Sequence, residues 1–252
     1  MSDFRVYCPS PPATAGAITL SPEESHHLVS VNRARRGDTV IAFDGRGHEW
    51  TCELANDRKN AAGLRILSSR TVTRPNYEIT LGQALPKGAL MEAIVRKATE
   101  IGVTCIVPLE SARTQVHLDH DRSDKKREKW QTSALEAAKQ CGNAFRPEIR
   151  PIEKMSTFIP NAAGFDLKLI ASLQPGAQSL KTILDLSADQ DRPAPKKVLW
   201  LIGPEGDFSP AESNLAEKCG FHATTLGPWV LRCETAAISA LSILSYELQI
   251  RA

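Results

Sequence analysis

The sequence lacks the marks of several protein classes, and each absence narrows what the chain can do. No run approaches the ~20 consecutive apolar residues that a membrane-spanning helix needs. The first residues, MSDFRVYCPS, show no basic stretch followed by an apolar one, so a cytoplasmic protein is expected. Cysteine is sparse and dispersed: Cys8, Cys52, Cys105, Cys141, Cys219 and Cys233 form no CxxC pair and no Cys/His cluster at zinc spacing. Reduced, mostly buried thiols and no metal site are therefore expected. Charge of one sign is also missing. The 31 basic and 29 acidic side chains leave a formal charge of +2, which excludes the broad positive field of a non-specific nucleic-acid binder. No GxGxxG occurs and no Walker lysine follows a glycine loop, so neither a standard dinucleotide site nor a nucleoside triphosphatase is indicated.

What is present falls into two stretches. Residues 4 to about 72 read as short strands broken by turns: RVYC, AITL, TVIAFDGRG, EWTCELA and GLRILSS, with Asp44-Gly45 a strong turn signal. That pattern predicts a small β barrel. Within it SPEESHHLVSVNRARRGD reads as a helical insert, with Ser21 capping, Pro22 at the first helical position and Glu24 completing a capping box. The insert ends in Arg33, Arg35 and Arg36. Residues 1 to 75 carry ten basic and eight acidic side chains, so the whole small positive excess sits in front. A solvated face explains a lone arginine cluster, and a β barrel beside it shifts the reading only modestly toward RNA phosphates.

After Arg74-Pro75 strands and helices alternate, which predicts a second, α/β domain over 75–252 with a largely parallel sheet. Strands are expected at 78–85, 103–109, 166–172, 197–203 and 222–227, and helices near 88–101, 123–141, 176–187 and 235–249. The stretch 187–196, with Asp189, Asp191, Pro193 and Pro195, reads as a surface loop. The face Ala134, Ala137, Ala138, Cys141 reads first as core and second as an interface helix.

Two segments carry chemistry. In LWLIGPEGDFSPAE an apolar strand stops at Gly203, Pro204 stiffens the turn, Gly206 loosens it, and Ser209-Pro210-Ala211-Glu212 is a capping box. Such a loop at a strand's carboxyl end is where open α/β sheets bind ligands, although an ordinary βα turn would look the same. In LGPWVLRCETAAISAL a strand ends at Leu226-Gly227, and Arg232 and Glu234 open the last helix. Glu234 reads as a helix cap favoured by the helix dipole, in competition with a functional role. Arg232, between Leu231 and an apolar helix, is expected to be sandwiched and in need of an acidic partner or a substrate oxygen.

GPEGDFSPAE followed by LGPWVLRCETA resembles the paired signature of the ribosomal RNA small subunit methyltransferase E family, of the SPOUT class. HHLVSVNRARRGD with FDGRGHEW, KATEIGVTCIVPL, and REKWQTSALEAAKQCGNAFRPEI resemble its other landmarks in the same order. The chain departs from the pattern at Asp207, where glycine is usual, at Cys233 for threonine, at Asn143 for arginine, and at Asn32 for an apolar residue.

The resemblance implies a PUA-like β-barrel RNA-binding domain over 1–74 and a SPOUT methyltransferase domain over 75–252 with a C-terminal trefoil knot. It implies S-adenosylmethionine as cofactor, held by Leu173, Ile202, Gly203, Pro204, Glu205, Gly206, Leu226, Gly227, Leu231, Cys233, Thr235 and Ala236. It further implies methyl transfer to N3 of a uridine in the decoding region of 16S ribosomal RNA, no metal, a homodimer, and Arg232 and Glu234 at the reacting base. Two alternatives stay open: an inactive RNA-binding or ribosome-assembly factor on the same fold, and a ribose 2′-O-methyltransferase.

Overall fold

The computed structural model describes residues 4–10, 16–114, 120–188 and 194–251. The expected loop residues Asp189, Asp191 and Pro193 lie outside them. Contacts divide the chain into two units, one running to Arg74 and taking in Leu135–Arg146, the other made of Pro75–Ala134 and Pro147 onward.

In the first unit, β1 (Phe4–Tyr7), β2 (Ala17–Thr19), β3 (Thr39–Phe43), β4 (His48–Asn56) and β5 (Gly63–Thr71) form one sheet of order β1-β3-β4-β5-β2. The β1–β3 pair is parallel and the others antiparallel. Among the described residues no ladder joins β1 to β2, so the expected barrel does not close by strand pairing. Alternate residues of each strand, among them Val6, Ile18, Val40, Leu54 and Leu64, fill a core that excludes water. The β3–β4 hairpin turns at Asp44, whose Oδ1 accepts from the Arg46 and His48 amides at 2.7 and 3.1 Å. This is the local bonding that makes Asp-Gly a turn former.

Helix α1 (Pro22–His26) is capped by Ser21, whose Oγ accepts from the Glu24 amide at 3.2 Å. It runs on as a π-helical turn over His27–Val31, which the spacing did not foretell. The second half of the expected capping box is absent. Glu24 does not reach back to its cap but turns inward, accepting from the Tyr7 amide at 3.0 Å and from Lys139 Nζ. A buried carboxylate is worth more on a cation and a strand amide than on an exposed cap.

Glu49 on β4 is also buried, held by the guanidinium groups of Arg5 at 2.7 Å and Arg70 at 2.6 Å. Burial pushes its carboxyl up, and the hydrogen bonds and charges of Arg5 and Arg70 outweigh that and hold it below the usual glutamate range. A depressed carboxyl contributes stability that is complete above the unfolded-state value of about 4.3 and is lost as pH falls through the folded value. The stability gap between wild type and Glu49→Gln should therefore be constant near neutrality and shrink below about pH 4, as urea titrations at stepped pH would read. A gap independent of pH would remove Glu49 from the account.

The second unit alternates as expected. In order come β6 (Glu78–Ala84), α2 (Leu90–Ile101), β7 (Cys105–Glu110), α3 (His120–Cys141), β8 (Glu148–Ile149) and β9 (Glu153–Lys154). Then follow α4 (Met155–Phe158) with a 3-10 turn, β10 (Leu167–Ala171), α5 (Leu180–Ala188), β11 (Lys197–Ile202), α6 (Pro210–Lys218), β12 (His222–Thr224) and α7 (Cys233–Arg251). All seven strands pair in parallel, in the order β12-β10-β11-β6-β7-β8 with β9 beside β7.

The central β11, KVLWLI, is apolar and buried from Val198 onward because both its faces are covered. On one face Trp200 and Ile202 pack with residues of α2, α5 and α7; on the other Leu199 and Leu201 pack with α4 and α6. A Cβ at Gly82 of β6 would lie 2.4 Å from Leu201 Cδ2, so only glycine lets the leucine layer close there. Gly102, at φ 93°, ends α2 in the left-handed conformation. On α3, Ala134, Ala137 and Ala138 are buried, as the core reading has it, while Cys141 is exposed.

Candidate functional site

The carboxyl ends of β10, β11 and β12 converge with the start of α7 around a cavity of about 240 Å³. Parallel strands all deliver their following loops to the same edge of the sheet, which is why residues far apart in sequence meet there. The first loop contributes Ala171, Ser172 and Leu173; the second Ile202, Gly203, Pro204, Glu205, Gly206 and Asp207. The third contributes Leu226, Trp229, Val230 and Leu231, and α7 contributes Cys233 and Ala236.

The loop after β11 is fixed by its neighbours. Glu205 Oε1 accepts from the Lys87 amide at 3.0 Å, and the Gly206 carbonyl accepts from Arg113 Nη1 at 2.6 Å. The turn closes with the Asp207 amide on the Pro204 carbonyl at 2.9 Å. Asp207 then adopts φ 58°, a left-handed conformation that glycine takes freely and aspartate tolerates, with its Oδ1 accepting from the Phe208 amide at 2.7 Å. The glycine that the resemblance leads one to expect at this position would take that angle without strain. A Cβ on Gly203 would stand 3.0 Å from Asp207 Oδ1 and 3.2 Å from its Cα, so the loop folds against bare backbone. The capping box at the start of α6 is complete: Ser209 Oγ accepts from the Glu212 amide, and the Glu212 carboxylate accepts from the Ser209 amide at 2.9 Å. Glu212 Oε1 also accepts from the Ala112 amide at 2.7 Å.

The walls are mostly apolar and hold two carboxylates, Glu205 and Asp207, and, among the described residues, no cationic side chain. The negative character registers at Cys233, whose thiol is pushed up to about 12 by burial first and by the Glu205 carboxylate next. Such a cavity favours a ligand that is part apolar and part cationic.

Of the residues named for the cofactor, Leu173, Ile202, Gly203, Pro204, Glu205, Gly206, Leu226, Leu231, Cys233 and Ala236 lie on the walls. Gly227 and Thr235 do not. Gly227 takes a positive φ of 118° in the turn between two lining stretches, and Thr235 is exposed. Asp207, noted as a departure from the pattern, also lines it, and Ala171, Ser172, Trp229 and Val230 line it without having been singled out. Strand continuity past Ile170 and loop continuity through 227–231 were the available signals for them.

The expected burial of Arg232 is corrected. Its side chain is exposed, lies off the cavity wall, and forms no ion pair among the described residues. Leu231 and Arg232 precede α7, which begins at Cys233, so helical periodicity does not group them, and Leu231 and Cys233 line the cavity while Arg232 stands in solvent. Glu234 is half-buried, also off the wall, and its Oε2 stands 3.5 Å from Cys233 Sγ. In the first unit Arg33, Arg35 and Arg36 are all exposed, without ion pairs among the described residues, and Arg33 holds φ 61°. No group of three metal-ligating side chains gathers among the described residues, and no helix there is long and apolar enough to cross a membrane.

A model of an RNA methyltransferase domain matches residues 73–245, and a model of an RNA methyltransferase PUA domain matches residues 20–67. The chain is similar to ribosomal RNA small subunit methyltransferase E of Bacillus subtilis, with 30% identity over 238 residues, 94% of this chain and 92% of the relative. It superimposes on a Legionella pneumophila protein solved with bound cofactor SAM, at a TM-score of 0.87 and 35% identity over 98% of both chains. It superimposes equally on ribosomal RNA small subunit methyltransferase E of Neisseria gonorrhoeae bound to S-adenosylmethionine, with a TM-score of 0.86 and 28% identity over 97% of this chain and 98% of that one. With motifs, strand-end cavity, domain models and relatives in agreement along nearly its whole length, the chain belongs to the ribosomal RNA small subunit methyltransferase E family of RNA methyltransferases.

Proposed function

We propose that this protein transfers a methyl group from S-adenosylmethionine to N3 of a uridine in the decoding region of 16S ribosomal RNA. The observation that carries the reading is the cavity at the ends of β10, β11 and β12, mostly apolar in its walls and lined by two carboxylates and, among the described residues, no cationic side chain. It suits a ligand with an adenine ring, an ammonium and a sulfonium but no phosphate, and the two solved relatives named above hold that molecule. Leu173, Ile202, Leu226, Leu231 and Ala236 would give it apolar surface, and the backbone of Gly203, Pro204 and Gly206 polar contacts. Glu205 and Asp207 would balance its charge, with Cys233 beneath. Gly227 and Thr235 act from outside the wall, by shaping the turn and the helix start.

When bound, the cofactor supplies an activated methyl group, so the residues of this chain have to align the uracil and relieve N3 of its proton. Arg232, exposed beside the cavity and unpaired among the described residues, is placed to offset charge that develops on the uracil oxygens. Glu234 receives the proton or fixes Arg232. The N3 edge of a paired uridine is occupied, so the target must be unpaired or everted, and a separate RNA-gripping domain over 1–74 serves that need.

Its phosphate contacts are assigned to Arg33, Arg35 and Arg36. Replacing all three with alanine should flatten the slope of log Kd against log salt by roughly 2 to 3, at about 0.7–0.9 per lost phosphate contact. An unchanged slope would return the cluster to a merely solvated surface.

The same reading includes a SPOUT domain over 75–252 knotted near its C-terminus, supported by the three converging loops. It includes a homodimer, supported by the exposed stripe Ile243, Tyr246 and Ile250 on α7. Action on ribosomal RNA places the protein in the cytoplasm. The deciding experiment is primer extension on 16S ribosomal RNA from cells with and without the gene. An N3 methyl blocks the pairing edge and stops reverse transcriptase, whereas a ribose methyl lets it pass, so a gene-dependent stop is expected in the decoding region. Loss of donor binding by calorimetry would instead favour an inactive assembly factor.

A further inference from the structure

We propose that the indole of Trp229 is the platform on which the target base stacks while its edge is presented to the cavity. The inference deepens the function proposed above and rests on it for the identity of the base. Trp130 and Trp200 are buried and Trp50 is half-buried, as large aromatics usually are, whereas Trp229 is 77% exposed and Val230 80% exposed. Both nevertheless touch the cavity, so the exposed apolar surface is its rim. Leu173, 54% exposed, extends that rim from the loop after β10.

The indole is presented by a stiffened turn. Thr225 Oγ1 accepts from the Gly227 amide and donates to the Gly227 carbonyl, each at 3.2 Å, and Pro228 fixes the next backbone angle. A platform of this kind loses little freedom when a ring settles on it.

Three arguments choose a nucleobase as the occupant. An everted base has given up its stacking neighbours and needs a replacement for them, which an aromatic side chain supplies whatever the base. The pair of electrons on N3 that takes the methyl group lies in the plane of the uracil ring, so both ring faces are free during transfer, and stacking fixes the plane in which the edge approaches. Arg232, three residues on, brings an exposed cation without an ion pair among the described residues to the same segment. An aromatic face beside a guanidinium is the combination single-stranded nucleic acid uses. A second protein copy would be expected to need more apolar surface than Leu173, Trp229 and Val230 provide.

The test uses full-length wild type, Trp229→Phe and Trp229→Ala, with a short single-stranded uridine-containing RNA and 16S ribosomal RNA as probes. RNA should quench the emission of wild type, and most of that quenching should vanish in Trp229→Phe, which has lost the indole. In Trp229→Ala the KM for RNA should rise ~5- to 150-fold, the range for losing one stacked base. Trp229→Phe, which keeps a ring, should restore most of it, and the donor Kd should move by less than about threefold in both, since most of the indole faces outward. Three results would overturn the platform: an RNA KM that does not change in Trp229→Ala, a donor Kd that rises in step with it, or dissociation to monomers with RNA affinity intact. Wild type that fails to methylate would sink the function proposed above, while quenching by RNA would still decide the platform.

Discussion

Arg232→Ala should turn over RNA ~100- to 1,000-fold more slowly than wild type while binding S-adenosylmethionine as tightly. The size is that of removing one charge-directed donor from a developing oxyanion. In the proposed reaction, removing the proton from N3 would leave negative charge spread over the two uracil carbonyls, and a planar guanidinium can meet two oxygens where an ammonium meets one. Arg232→Lys should therefore recover only part of the rate. Donor affinity should hold because the Arg232 side chain is not on the cavity wall. Single-turnover rates with saturating RNA, set beside calorimetry, separate the two effects. Should Arg232→Ala and Glu234→Ala both keep full turnover, neither side chain acts at the base.

The second large effect concerns stability. Lys139→Met should cost the first unit ~3–5 kcal/mol, the usual penalty for stranding a buried charge. Lys139 and Glu24 have side chains only 7% and 9% exposed, and Lys139 also holds Glu136 at 2.9 Å. Without the ammonium, the Glu24 carboxylate keeps the Tyr7 amide and loses its cation. Amide hydrogen exchange is the measurement to make, because it reads β1 and β3 separately from the second unit. Pairing Lys139→Met with Glu24→Gln should restore most of the protection. A double variant as weak as the single one would show that the ion pair is not the cause.

Much of this architecture was legible because its signals are local or periodic. The continuous apolar run of β11, the glycine that ends α2, the turn at Asp44 and the reciprocal cap of Ser209 and Glu212 each write their conformation in a few adjacent residues. Strands β8 and β9 have two residues each, too few to carry a period, and α4 is a single turn. Glu24 was misread for a different reason: its partner lies 115 residues away, and a local motif competed with a tertiary one and lost. The site shows the same division. Its strand-end loops were readable, but apolar Trp229 and Val230 gave no sign of standing in solvent, and Arg232 was judged by its neighbours in sequence although it sits on non-helical backbone just before α7.

The Glu205–Gly206 turn is tied on both sides, by the Lys87 amide and by the Arg113 guanidinium, and its final residue is locked in a left-handed well. That segment's disorder is given up during folding, before any small molecule arrives. Capture at the cavity then needs no slow rearrangement of this wall, and the observed association rate should climb linearly with ligand concentration instead of levelling off at the pace of a loop closing.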